Sequence, residues 1–300
     1  MSELLLLRRG VYPPLPTFFD ANEELDLQTY QQHIRRLAQT GIVGYVVMGS
    51  NGEAAHLSHA ERVQMVEASR EAAGPAALLF VGCGEQSTRA TIVNCQRAAQ
   101  AGGNYALVIA PFYFKGRMDE RALLAHYRAV ADASPLPVML YNMPANTAGL
   151  DLDAAFVCAL AAHPNIVGLK DSAGNIAKLA QIVAQAPASF AVFAGSAGYL
   201  LPALAVGAWG AVAALANIFP QHVCRVQELF EHGHVADARL LQGRLVAANT
   251  AVTTTYGVSG LKVALEITAG YGGCPRSPLL PLTTTEHQRL AEILAAVAPL

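Results

Sequence analysis

Charge is scarce in this chain of 300 residues: 14% are Asp, Glu, Lys or Arg, 53% are hydrophobic, and the formal net charge is -2. With neither sign in excess, there is no electrostatic footprint for nucleic acid or for an anionic membrane surface. So few charges leave apolar area on the surface once a core is built, which favours a homo-oligomer. Long hydrophobic runs are also missing. No stretch approaches the roughly 20 uncharged apolar residues of a membrane span, and Leu4 to Leu7, followed by Arg8 and Arg9, is too short for a signal-peptide core. The five cysteines, Cys83, Cys95, Cys158, Cys224 and Cys274, include no close pair. That excludes a zinc ribbon or dithiol motif and suits a reducing cytosol. The expectation is a cytoplasmic protein whose partners are small molecules and copies of itself.

Lysine is rarer still, with only Lys115, Lys170, Lys178 and Lys262. Lys115 sits in a Phe-Lys-Gly-Arg loop, and Lys178 and Lys262 fall in segments of helical periodicity, where the usual lysine is a solvated surface group. Lys170 alone ends an apolar run, Ile166-Val167-Gly168-Leu169. A partly desolvated amine holds its proton less tightly, and a neutral amine can attack a ketone to form a Schiff base. Taken alone, a lysine ending a strand is more often structural.

Apolar runs recur at Tyr12 to Phe18, Gly44 to Met48, Leu78 to Val81, Tyr105 to Ala110, Val138 to Tyr141, Ile166 to Leu169, Phe190 to Ala194 and Gly210 to Leu215. Helical periodicity fills the intervals, with start signals at Ser58, Ser87, Asp119 and Asp151. Continuous rather than alternating apolar strands imply a parallel sheet covered by helices, and eight such units close into a (β/α)8 TIM barrel. A doubly wound sheet is the alternative, but no Gly-x-Gly-x-x-Gly follows the first strand. After Asn217 the strand signals stop and helical patterns continue near Val223, Leu240, Leu261 and His287. The expected organisation is a catalytic barrel over 1–217 and a C-terminal helical extension over 218–300 packed on it.

In barrels the working groups lie where strands end. Strand two runs into Gly49-Ser50-Asn51-Gly52-Glu53, where glycines admit a ligand to the backbone and Ser50 and Asn51 offer donors suited to a carboxylate; an ordinary turn is the alternative. Strand four ends in Pro111-Phe112-Tyr113-Phe114, and strand five in Tyr141-Asn142-Met143-Pro144-Ala145-Asn146. A tyrosine level with Lys170 on the neighbouring strand can move protons at a ketone or hydroxyl oxygen, or can be a core residue with a hydrogen-bonded hydroxyl. Strand seven ends in Gly195-Ser196-Ala197-Gly198, a place where barrels often hold phosphate, but no Lys or Arg stands beside it. The nine histidines, among them His56 with His59 and His232 with His234, form no set of strand-end metal ligands; His232 and His234 fit a solvated loop between helices.

Together these motifs resemble the family of pyruvate-type class I aldolases that includes dihydrodipicolinate synthase and N-acetylneuraminate lyase. The resemblance rests on Gly49 to Glu53, Tyr141-Asn142-x-Pro144, Gly168-x-Lys170-Asp171-Ser172 and the closing Gly260-Leu261-Lys262 and Pro278-Leu279. It implies that Lys170 forms the Schiff base, that Tyr141 transfers protons, and that Ser50 and Asn51 hold the pyruvate carboxylate and relay protons. It also implies that Tyr113 acts across a subunit interface in a tetramer, a dimer of dimers. Gly52, Asn146, Ser172, Gly195 and Ser196 complete the expected substrate-binding set.

Synthases of this family usually carry two threonines at Ser50 and Asn51 and an arginine at Asn146, and asparagine lacks that charge and its bidentate fork. With Ala214-Leu215-Ala216-Asn217 and Tyr271-Gly272-Gly273, the pattern resembles the branch that cleaves 4-hydroxy-2-oxoglutarate to pyruvate and glyoxylate. Such a lyase needs no metal and no cofactor, because the iminium is the electron sink. A dihydrodipicolinate synthase or another 2-oxo acid lyase or dehydratase is the alternative within the family. A non-catalytic 2-oxo acid sensor and a pyridoxal phosphate enzyme using Lys170 stand outside it.

Overall fold

The computed structural model describes residues 6–297 together with Pro299; of the short Leu4 to Leu7 run, Leu4 and Leu5 lie outside the described residues. Eight parallel strands form one sheet: β1 (Gly10–Tyr12), β2 (Gly44–Val47), β3 (Leu78–Gly82), β4 (Tyr105–Ile109), β5 (Val138–Asn142), β6 (Ile166–Asp171), β7 (Ala191–Ala194) and β8 (Gly210–Val212). Their order is β1-β8-β7-β6-β5-β4-β3-β2. The circle closes where Pro14 bridges Val46, with Leu15 N–H donating to Val46 O at 2.9 Å and Val46 N–H to Pro13 O at 3.0 Å. The TIM barrel expected from the apolar runs is the observed fold.

The strand limits moved where the backbone chemistry requires it. β1 stops at Tyr12 because Pro13 and Pro14 have no N–H to give a ladder, so beyond it only the isolated bridge of Pro14 to Val46 joins the sheet and the apolar run to Phe18 adds no further strand. β8 is shorter than its apolar run because Ala214–Asn217 tighten into a 3-10 turn. β6 is longer, since Lys170 and Asp171 remain in register with Tyr141 and Asn142 although both are charged.

Side chains of period two give the barrel an inner and an outer face. The interior is aromatic: Tyr12 meets Phe80 edge-on at 5.1 Å, and Phe80 stacks on Tyr105 at 5.0 Å. These rings fit because Gly44 has no side chain; a Cβ there would lie 2.9 Å from the Tyr12 ring and 2.5 Å from the Leu78 carbonyl.

Around the strands run α1 (Leu27–Leu37), α2 (His59–Ala73), α3 (Thr88–Gln100), α4 (Glu120–Ala133), α5 (Ala154–Ala161), α6 (Ile176–Gln185), α7 (Leu200–Ala205) and α8 (Pro220–Glu231). Most begin with a side chain that accepts from an otherwise orphaned amide, as Asp26, Ser87, Asp119, Asp153 and Asn175 do. Ser58 forms a capping box with Glu61. An extension counted from residue 218 includes α8, which packs on β1 and α7 in the place of the eighth barrel helix. Beyond it come α9 (Val235–Thr250), a π-helical turn over Ala251–Thr255, α10 (Gly257–Ala269) and α11 (Thr284–Ala295). Among the described residues no helix is long and apolar enough to cross a membrane.

One buried hydrogen-bond chain ties α1, the end of β8 and the segment after α10. Asn217 Nδ2 donates to Pro14 O at 2.9 Å and Ala214 O at 3.0 Å, which turns its Oδ1 toward His33 Nε2 at 3.0 Å. His33 is therefore neutral with its proton on Nε2, and its Nδ1 accepts from Tyr271 Oη at 2.9 Å, which in turn accepts from Arg36 Nε at 2.9 Å. Burial pushes the His33 imidazolium down to about 3. An unfolded His33 would titrate near 6.5, so below that pH the unfolded chain binds a proton that the native chain refuses. Stability from this group is complete above about pH 6.5 and drains as pH falls toward 3, by up to about 1.4 kcal/mol per pH unit. We expect His33→Gln to flatten the acid side of the stability curve, read as urea midpoints between about pH 7.5 and pH 5; an unchanged slope would show that His33 titrates normally in the fold.

Candidate active site

The turn after β2 is bracketed by two residues in the left-handed region, Met48 at φ 56° and Glu53 at φ 51°. Neither is glycine or asparagine, so both conformations cost free energy that the surroundings must offset. The Met48 carbonyl projects onto β3, where a Cβ on Gly82 would lie 1.9 Å from its oxygen. Between the two, Ser50–Gly52 form one 3-10 turn, and Thr17 Oγ1 donates to Gly52 O at 2.7 Å.

Tyr141 on β5 and Lys170 on β6 are register partners, as are Asn142 and Asp171. Tyr141 and Lys170 face the barrel interior, and Asn142 and Asp171 face the helices. Lys170 is only 4% exposed, and its Nζ lies 3.9 Å from the centroid of the Tyr141 ring. The Tyr141 hydroxyl is 3.1 Å from Ser50 Oγ. Amine, phenol and hydroxyl thus form a connected set contributed by β6, β5 and the β2 turn. The expectation that Lys170 stands level with Tyr141 holds, although the strand continues one residue past the lysine.

The expectation that Lys178 and Lys262 are solvated surface groups is overturned, for both are buried. Lys178 Nζ sits between Asp151 Oδ1 at 2.6 Å and Asp171 Oδ2 at 2.8 Å. Asn142 Nδ2 donates to both carboxylates, at 2.6 and 2.8 Å. Lys262 Nζ pairs with Glu53 Oε1 at 2.7 Å and donates to Cys274 O at 2.8 Å. Burial lowers the Lys262 pKa, and the Glu53 carboxylate opposes that shift. Helical periodicity misled here because each lysine lies on a helix face turned to the barrel, where a carboxylate neutralises it. Among the described residues Lys170 has no ion pair.

A cavity of about 450 Å³ opens at this end of the barrel. Its wall includes Ser50, Gln86, Phe112, Tyr141 and Asn146, and the C-terminal segment adds Tyr256, Ser259 and Leu279. Asn51 and Gly52 share the turn with Ser50 but do not line this cavity. Ser172 and Gly195 lie side by side at the ends of β6 and β7, where a Cβ on Gly195 would fall 2.0 Å from Ser172 Oγ. Ser196 Oγ is occupied by the amide of Gly198 at 3.1 Å and by Asn249 Nδ2 at 2.9 Å. Tyr113 is not among the lining residues either: it is 76% exposed, with its ring edge-on to Phe114 at 5.0 Å. Its amide and that of Phe112 both donate to Gln86 Oε1 at 2.9 Å. His232 and His234 are exposed at the junction of α8 and α9, as the sequence suggested.

Known proteins resemble this chain over nearly its whole length. Residues 7–297 match the dihydrodipicolinate synthetase family. A protein of Emericella nidulans, named probable 4-hydroxy-2-oxoglutarate aldolase, mitochondrial, is 44% identical over 94% of this chain and 93% of its own. An L-threo-3-deoxy-hexylosonate aldolase of Hypocrea jecorina is 38% identical over 95% of this chain and 93% of its own. Among solved structures, a prophage protein of the dihydrodipicolinic acid synthase family from E. coli K12, in complex with pyruvate, superposes with a TM-score of 0.91 at 30% identity. That alignment covers 97% of this chain and 99% of the other.

The paired lysines give a direct stability test. Lys178→Met leaves the fully buried Asp171 carboxylate without its cation, a change that typically costs about 3–5 kcal/mol. We expect a loss of that size in denaturant unfolding and substantial recovery in Lys178→Met/Asp171→Asn. A double variant no more stable than the single one would mean that the charge pair is not what the fold depends on.

Proposed function

Because this chain belongs to the dihydrodipicolinate synthetase family, we propose that it cleaves 4-hydroxy-2-oxoglutarate to pyruvate and glyoxylate through a Schiff base on Lys170. The observation that carries this reading is a buried lysine without a carboxylate partner, 3.9 Å from the ring of a tyrosine whose hydroxyl reaches Ser50. An amine engaged by carboxylates, as in Lys178 and Lys262, has no lone pair to offer a carbonyl.

Lys170 Nζ adds to the keto carbon, and loss of water leaves an iminium. The bond between the third and fourth carbons then breaks, its electron pair moving into the iminium to give an enamine. Tyr141 takes the proton of the fourth-carbon hydroxyl while passing its own to Ser50 Oγ, whose proton moves on through Tyr113 of a neighbouring subunit to solvent, and glyoxylate departs. Protonation of the enamine carbon and hydrolysis of the iminium release pyruvate and restore the amine. The iminium is the only electron sink required, so the chemistry calls for no metal or organic cofactor.

Ser50, Asn51 and the amides of their turn hold the first carboxylate, and Gly52 lets that turn lie against Leu15 O, which a Cβ would approach to 3.0 Å. Asn146 in the cavity wall serves the distal end, with Ser172, Gly195 and Ser196 outside that wall at the ends of β6 and β7 as further contacts. Asn146 brings no positive charge for a second carboxylic acid substrate, which favours cleavage over a synthase condensation. The exposed Tyr113 and Phe114 support a homotetramer in which Tyr113 completes the proton relay of a neighbouring subunit. Five free cysteines fit a reducing compartment, and we place the enzyme in the cytoplasm.

The test is pyruvate release from 4-hydroxy-2-oxoglutarate in a coupled lactate dehydrogenase assay. Lys170→Ala is expected to abolish both turnover and the borohydride-trapped pyruvate adduct, and Tyr141→Phe to lower kcat by about 10²–10⁴-fold. Trapping on any other lysine would overturn the assignment. A trapped adduct on Lys170 without turnover of this substrate would keep the chemistry and reject the aldehyde partner.

A further inference from the structure

Glu53 is the last residue of the turn that begins at Gly49, and three features set it apart from an ordinary turn residue. Its backbone is left-handed, with φ 51° and ψ 37°. Its carboxylate is buried, although a turn at a strand end has water within easy reach. Each of its oxygens is used by a group distant in sequence, Oε1 by Lys262 Nζ at 2.7 Å and Oε2 by the Arg276 amide at 2.9 Å, and Oε2 also meets the local His56 Nδ1 at 3.0 Å.

The partners are themselves fixed. Lys262 on α10 lies 4.6 Å from the centroid of the Phe19 ring, and the Arg276 guanidinium 4.3 Å from the same centroid. Arg276 also bonds Glu61 Oε1 at 2.7 Å, His56 O at 2.8 Å and the Glu23 carbonyl. Within the turn, Glu53 N–H donates to Ser50 O at 3.1 Å and Gly52 N–H to Gly49 O at 3.0 Å. A shift of the Glu53 side chain is thereby transmitted to Ser50, whose hydroxyl sits 3.1 Å from Tyr141.

We infer that the Glu53–Lys262 ion pair, backed by Arg276, is a positioning device that holds the Ser50-Asn51 turn in its carboxylate-binding form. Glu53 lies in the cavity wall beside Ser50 and Lys262 lies behind it, outside the wall; both act on the carboxylate site through the turn. The inference rests on the reading of Ser50 and Asn51 as the pyruvate-carboxylate holders. It makes the C-terminal helices part of the active-site apparatus rather than a cover over it.

The experiment is borohydride trapping at graded pyruvate concentrations, read as intact mass, on wild type, Glu53→Gln, Lys262→Met and the double variant. The wild-type adduct on Lys170 tests the underlying reading separately. Each variant is expected to reach the wild-type maximal adduct but to need about tenfold to a hundredfold more pyruvate for half-saturation, as loss of ligand orientation demands. The double variant decides between positioning and mere stability, because it leaves no uncompensated buried charge and folds even where a single variant does not. A raised half-saturation in the double variant supports positioning. A double variant with wild-type half-saturation, within about twofold, overturns it and leaves the pair a purely structural contact.

Discussion

A buried ammonium has to be neutralised or its cost falls on the whole fold, and this constraint orders the site. Of the four lysines, Lys170, Lys178 and Lys262 are all withdrawn from water. Two carboxylates close on Lys178 and one on Lys262. Lys170 receives the face of an aromatic ring instead, a weaker attraction than a carboxylate gives. Lys170 is therefore set apart by what it lacks, while Asp151, Asp171 and Glu53 hold the other two buried lysines in ion pairs.

Strand parity turns neighbouring residues to opposite tasks. Along β6 the chain alternates from Lys170, inside the barrel, to Asp171, outside it, and β5 repeats the pattern with Tyr141 and Asn142. The outer pair, with Lys178 and Asp151, forms a closed polar cluster that fixes how the two strand ends lie against each other. Asp171 adds its backbone carbonyl, which accepts from the Gly195 amide at 2.7 Å and the Tyr199 hydroxyl at 2.7 Å and so brings in the end of β7. A slip of one residue would exchange the two sets, putting a carboxylate where the amine belongs. The outer cluster resists that slip, which links the energetics of the barrel wall to the alignment of the inner pair.

Much of this was legible in the chain. Doubly buried strands have to be continuously apolar, so eight runs announced eight strands, and capping residues such as Ser58 and Ser87 marked helix starts. Lys170 and Tyr141 stood out because each interrupts or ends such a run. Asp171 and Asn142 carried the same signal, polar residues at the ends of apolar strands, but nothing local says which way such residues face. Lys178 and Lys262 were misread because periodicity reveals that a helix has an inner face, not that a charge on it will find a partner far along the chain. The limits of β1 and β8 followed from missing donors and a tight turn, which hydrophobicity does not record. The role proposed for Tyr113 would be a property of an assembly, which no single stretch of sequence records; in the single chain the residue is exposed.

The strained turn after β2 shows why eight strands alone do not make this site. Its left-handed Met48 and Glu53 are unfavourable as local structure. Glu53 is held from more than 200 positions along the chain, through Lys262 and Arg276, as well as by His56 close by. The same C-terminal segment is anchored a second time where Tyr271 meets His33 and Arg36, beside the seam at which β8 joins β1. Two anchors fix both a position and an orientation, so the segment can present Tyr256, Ser259 and Leu279 to the cavity as a defined wall. The barrel supplies Lys170 and Tyr141 and their register, while the helices after it supply the partners that hold Glu53 at the end of the turn after β2.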